Sequence, residues 1–155
     1  RSPLGWVGAH RIHHRHSDTE EDPHSPKHKG FWNVLMNNWR VKQIPRHYVR
    51  DLYKNPRIMI FHKHWLKLHI ATAVITLLIS VPLFFVFTLA PLVLGFVSYG
   101  IFNALGHDDG KPVYNWLIGI LSAGEGHHDV HHANPGQIQL SKYDFAGRVA
   151  KKLFI

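Results

Sequence analysis

Cysteine is absent from this 155-residue chain, which excludes disulfides and thiolate metal sites together. A metal ion held here needs imidazole and oxygen ligands. Acidic residues are scarce: ten Asp and Glu stand against eighteen Lys and Arg, a formal charge of +8. An initiator Met is missing, and so is a signal peptide with a charged start and a short apolar core. The chain opens at Arg1 and runs straight into a motif, so it is expected to be a piece of a longer protein. Nothing in its length asks for a second domain.

The most telling absence is internal. From Leu68 to Gly106 there is no Asp, Glu, Lys or Arg, a run of 39 residues. As one helix it would be about 58 Å long, roughly twice the hydrocarbon thickness of a bilayer. Two spans joined by a tight turn are expected instead, about Leu66–Val81 and Phe85–Leu105, with Pro82 as the break. Thirteen of the eighteen basic residues lie at or before Lys67 and five at or after Lys111. Both ends are therefore expected on the cytoplasmic side and the turn outside. Basic nucleic-acid modules carry their charge on a soluble fold. Here it flanks a membrane-type segment, so lipid is the expected partner and nucleic acid is not.

The fold class expected is all-α: an integral, multi-pass membrane protein with one helical hairpin at about 66–105. Segments 1–65 and 106–155 would form cytoplasmic and interfacial helices within a single domain, 1–155. Between Lys27 and Lys67 the residues Trp32, Trp39, Tyr48, Tyr53 and Trp65 mix with basic ones, the composition of a membrane–water interface. An amphipathic helix or helical turns over Val49–Leu66 are expected, and Asp144 is expected to cap a last helix, Phe145–Phe154, with its apolar side on lipid.

Against these absences stand fifteen histidines. His10-Arg11-Ile12-His13-His14 and His128-Asp129-Val130-His131-His132 share the spacing H-x-x-H-H. On a helix, positions i, i+3 and i+4 share a face, so each box aims three imidazoles one way. Thiol-free, multi-histidine ligation suits iron, copper, nickel or zinc, and suits magnesium or calcium poorly. A histidine tag is contiguous. These boxes keep a helical period and lie on either side of the apolar run.

The run from His10 through Asp18 to Asp22-Pro23-His24-Ser25-Pro26 resembles the second histidine box of stearoyl-CoA-type desaturases. Gly124-Glu125-Gly126-His127-His128-Asp129-Val130-His131-His132-Ala133-Asn134-Pro135 resembles their third, and Asn103-Ala104-Leu105-Gly106-His107 their asparagine–histidine element. The resemblance implies a dinuclear iron site with His10, His13, His14, His107, His128, His131 and His132 as ligands. Asn103 would hold a metal-bound water, sharing a helical face with His107. Asp18, four residues past His14, and Glu125 have two readings: each orients an imidazole by accepting from its outer ring nitrogen, or each is a surface carboxylate. The family's first box, H-x4-H, and its first two membrane helices have no counterpart here, so the chain alone is expected to be inactive. His127 replaces an aromatic residue and Val130 a polar one, without loss of a ligand. His16, His24, His28, His47, His62, His64 and His69 lack a matching partner spacing and are expected to be interfacial polar residues.

The reaction implied is oxygen-dependent desaturation of a fatty acyl chain, carried as acyl-CoA or acyl-lipid, leaving a cis double bond. Two iron ions would be the cofactor and O2 the co-substrate, with electrons from a small cytochrome- or ferredoxin-type donor. The alternatives are a membrane hydroxylase of the same histidine-box group and a non-catalytic, membrane-anchored metal-binding protein.

Overall fold

Helix dominates, as the charge-free run requires. The computed structural model describes residues 1–121, 124 and 126–154. In chain order the helices are α1 (Pro3–His16), α2 (Pro26–Lys29), α3 (Phe31–Leu35), α4 (Arg50–Tyr53), α5 (Pro56–Ile79), α6 (Val81–Phe84), α7 (Ala90–Leu105), α8 (Trp116–Leu121), α9 (His128–Ala133) and α10 (Phe145–Phe154). The sheet among the described residues is one antiparallel pair, β1 (His107–Asp108) with β2 (Lys111–Pro112). The chain divides into two compact units, Arg1–Arg15 with Arg40–Phe96, and His16–Trp39 with Val97–Ile155.

In the first unit, Asn55 starts the longest helix. Its Oδ1 accepts from the N–H of Arg57 at 3.0 Å and of Ile58 at 3.3 Å. Pro56 follows at the first helical position, where a missing N–H costs nothing. α5 then runs unbroken to Ile79, so Val49–Leu66 is not a separate element: a 3-10 turn (Arg46–Val49) and α4 precede it. The expected break at Pro82 falls two residues earlier. Ser80 is extended (φ −169°, ψ 135°), and Pro82 sits harmlessly in the first turn of α6. The hydroxyls of Thr76 and Thr88 are 2.9 Å apart. Twelve residues of straight helix span about 18 Å, so the chain doubles back around Ser80.

α6, a π-helical turn (Phe85–Leu89) and α7 form one run, Val81–Leu105, of 25 residues. Among the described residues it is the one helix long and apolar enough to cross a membrane. It begins at Val81 rather than the expected Phe85. Lys63 and Lys67 lie within α5, whose charge-free part begins at Leu68. Leu78, Ile79, Phe87 and Leu94 are all exposed. Exposed apolar surface on this scale marks a face that contacts lipid or another protein.

In the second unit, α7 runs close to the end of α3: a side chain at Gly100 would collide with the carbonyl of Leu35. Asn115 ties two helices together. Its Oδ1 accepts from the N–H groups of Leu117 and Ile118, starting α8, while its Nδ2 donates to the carbonyl of Leu105 at the end of α7. Asp109 and Gly110, both left-handed (φ 44° and 76°), make the two-residue turn between β1 and β2. The cap expected for α10 is present: Asp144 Oδ1 accepts from the N–H of Gly147 at 2.7 Å.

Candidate metal centre

The helix that carries Asn103 ends before it reaches His107. α7 stops at Leu105, and His107 lies on β1, so the two do not share a helical face as the spacing suggested. Asn103 is buried, and its Nδ2 donates to the carbonyl of Tyr99 at 2.7 Å. The short hairpin fixes His107 instead, pairing it with Pro112. Further on, Tyr114 bridges to His127, and the N–H of Asn115 donates to the carbonyl of Gly126. These contacts start α9 beside β1. His127, which replaces an aromatic residue in the resemblance, packs its ring 4.6 Å from that of Tyr114.

This route delivers three imidazoles to one place. His107 Nε2 lies 3.0 Å from His128 Nε2, which lies 3.1 Å from His132 Nε2. His128 and His132 are one helical turn apart on α9, as the box spacing requires. His107 and His128 are buried. The third member of the box, His131, has its ring centroid 6.0 Å from those of His128 and His132.

Behind His107 stands Asp18. Its Oδ2 is 2.7 Å from His107 Nδ1, both side chains being almost wholly buried. A carboxylate only accepts, so Nδ1 is the nitrogen that donates to Asp18, and Nε2 is the one that faces the cluster. Proximity in sequence pointed Asp18 toward the second box; within this unit its partner is His107. Glu125, the other expected carboxylate, lies outside the described residues.

The first unit carries the second box on α1. His10 and His14 present their Nε2 atoms 3.1 Å apart, Trp6 stacks on His10, and His13 is buried. Arg11, inside the box, reaches α4. Its guanidinium donates to Asp51 Oδ1 at 2.6 Å and Oδ2 at 2.8 Å, and to the carbonyl of Tyr48 at 2.7 Å. The hydrogen bonds from Arg11 lower the Asp51 pKa to about 2, and the same pairing raises that of Arg11.

The donor set fits a first-row transition metal. Two imidazole nitrogens bound at right angles to one ion, each at about 2.1 Å, lie about 3.0 Å apart. The observed nitrogen–nitrogen separations are 3.0 and 3.1 Å. With no thiolate in the chain, iron, copper, nickel and zinc all remain compatible.

Sequence reasoning missed two residues of the second unit. His24, assigned to the interface, is fully buried, with its ring 4.5 Å from Trp39 and 6.1 Å from Tyr99. Asp22, equally buried, was seen only as part of the D-P-H run. A carboxylate one residue before a proline in a loop is a turn signal, and that was the available hint.

Comparison with known proteins supplies the family. A fatty acid desaturase family model matches residues 1–153. The sn-1 stearoyl-lipid 9-desaturase of Anabaena variabilis is 31% identical over 145 residues, 84% of this chain and 53% of that protein. The acyl-CoA desaturase 1 of Saccharomyces cerevisiae is 30% identical over 150 residues, 84% of this chain and 29% of that protein. The probable acyl-CoA desaturase of Schizosaccharomyces pombe is 33% identical over 150 residues, 84% of this chain and 31% of that protein. The chain spans about half the length, or less, of these curated relatives. No solved structure matches it. With the match covering nearly every residue, the chain belongs to the fatty acid desaturase family.

Proposed function

We propose that this chain supplies the second and third histidine boxes of a membrane di-iron desaturase that places a cis double bond in a fatty acyl chain. The observation that carries the reading is the His107–His128–His132 cluster with Asp18 behind His107, in a chain of this family. Relatives named for stearoyl-lipid and acyl-CoA desaturation support an acyl-lipid or acyl-CoA as the substrate class.

Bound iron would supply the oxygen-dependent attack on an unactivated C–H bond, which no side chain can make. His10, His13, His14, His107, His128, His131 and His132 would serve as its ligands. Asp18 keeps His107 in the tautomer whose Nε2 is available, as carboxylates behind ligating histidines do. The Asn103 amide donates to the carbonyl of Tyr99, and its Oδ1 would accept from a water on the bound metal. Glu125 has the role of a further orienting carboxylate.

Overall, the acyl chain gives up two hydrogens. These, with two electrons delivered one at a time by a small redox donor and two protons from solvent, would reduce O2 to two waters. In this reading the helices flanking Ser80 are a transmembrane hairpin, and the basic residues at both its ends support a cytoplasmic position for the histidine boxes. That basic surface suits an acidic cytochrome or ferredoxin.

The test is expression of the gene that carries this chain in a desaturase-deficient host, followed by gas chromatography of acyl methyl esters. A new cis-monounsaturated acyl species is expected. Hydroxylated chains in its place, or an unchanged profile with abundant protein in the membrane, would count against desaturation.

A further inference from the structure

Asp18 sits in the left-handed region, at φ 60°, where a non-glycine residue is held by its surroundings or not at all. Several contacts hold it. α1 ends at His16, whose carbonyl accepts from the N–H and the hydroxyl of Thr19. Ser25 Oγ donates to Asp18 Oδ1 at 3.1 Å, and His28 Nε2 lies 2.9 Å from the Asp18 carbonyl. The deepest contact comes from Asp22, which has no exposed surface. Its Oδ2 accepts from the N–H of Asp18 at 2.9 Å and its Oδ1 from the N–H of His24 at 3.0 Å. One buried carboxylate thus bridges the two ends of the loop 18–24.

We propose that Asp22 is a positioning residue for the metal centre: it holds the left-handed backbone at residue 18 and so aims the Asp18 carboxylate at His107. The proposal rests on reading His107, His128 and His132 as metal ligands. The path is short. Asp22 fixes the peptide of residue 18, the side chain of Asp18 leaves that peptide toward His107 Nδ1, and that contact holds the His107 ring with Nε2 toward the cluster. A backbone in the right-handed region at residue 18 would send the carboxylate elsewhere. His107 would then lose its acceptor.

The test uses the protein encoded by the gene that carries this chain, purified in detergent, stripped of metal and titrated with Co2+ under anaerobic conditions. Affinity is read by chelator competition and ligand geometry by the visible absorption of the bound ion. Asp18→Ala and Asp22→Asn are each expected to weaken binding by about 10–100-fold, with the same change in absorption bands and unchanged helical circular dichroism. Because both act along one path, the double variant is expected to be no weaker than the worse single variant by more than about threefold. Should Asp22→Asn fail to fold, Asp22→Glu takes its place in the same cycle, keeping the charge and shifting it by one methylene. Wild-type affinity and spectrum in the Asp22 variant would overturn the proposal, as would losses that multiply in the double variant. A wild-type protein that binds no Co2+ would overturn the metal reading as well.

Discussion

His107 and His128 face each other Nε2 to Nε2 at 3.0 Å, although they are 21 positions apart in the chain. The residue that lets them meet is Gly106. A side chain there would press on the carbonyl of Phe102 and come within 2.8 Å of His128 Cδ2 and 3.0 Å of Cγ. The close approach of α9 to the strand carrying His107 needs a position without Cβ.

Gly106→Ala is therefore expected to cost about 1–3 kcal/mol of stability and to displace the His128 ring. Metal content per protein, measured after purification in parallel with wild type, should fall. Gly95→Ala is the matched control, because a Cβ at Gly95 would meet no atom within 4 Å. Equal metal content in both variants would show that the ring tolerates the intrusion.

The pairing of Arg11 with Asp51 gives a pH prediction. The folded-state pKa of Asp51 is about 2, below its ordinary 3.8, so the pair's contribution is present above the ordinary value. It is lost as pH falls through about 2. Thermal midpoints of wild type and Asp51→Asn should differ by a small, constant amount above about pH 5 and converge as pH falls toward about 2. A difference that widens on acidification would contradict the assignment. Asp51 is exposed and Arg11 partly so, and the difference should therefore also shrink in high salt.

Between α5 and the π-helical turn, the Thr76 and Thr88 hydroxyls meet in otherwise apolar surroundings. Thr76 also donates within its own helix, to the carbonyl of Thr72 at 2.8 Å. Thr88→Val should therefore cost only about 0.6 kcal/mol, the usual value for such a pair in a membrane bundle. Thr76→Val/Thr88→Val should cost no more than the sum of the two single changes. Unfolding in detergent titrated with denaturing surfactant measures this; a loss of several kcal/mol would mean that the pair does more than join two helices.

What the sequence made legible was whatever repeats on a local period. The H-x-x-H-H boxes are helical in both places because i, i+3 and i+4 spacing is a property of the helix itself. The Asp144 cap is likewise local. Misplaced features depend on competing local choices. Pro82 reads as a helix breaker, yet the first turn accepts proline, and Ser80 carries no comparable signal. His107 reads as helical at four residues past Asn103, but Gly106 and the Asp109-Gly110 turn take it into a strand. Hidden features are long-range. Asp18 meets a histidine 89 residues away, and the burial of Asp22 and His24 comes from tertiary packing that no window of sequence reports.

The central claim is that the histidine cluster holds iron, and the most direct measurement is iron per protein in matched variants. His128 lies at the middle of the cluster, within 3.1 Å of two other imidazole nitrogens. His62 serves as the control, since its Nδ1 meets the hydroxyl of Ser2 at 2.9 Å, outside either box. Protein purified from iron-supplemented cells is to be analysed by elemental mass spectrometry, with folding checked by circular dichroism. Wild type and His62→Ala are expected to carry the same iron, and His128→Ala to lose most of it while remaining helical. Full iron content in folded His128→Ala would contradict the metal centre, and the desaturase reading built on it would fall.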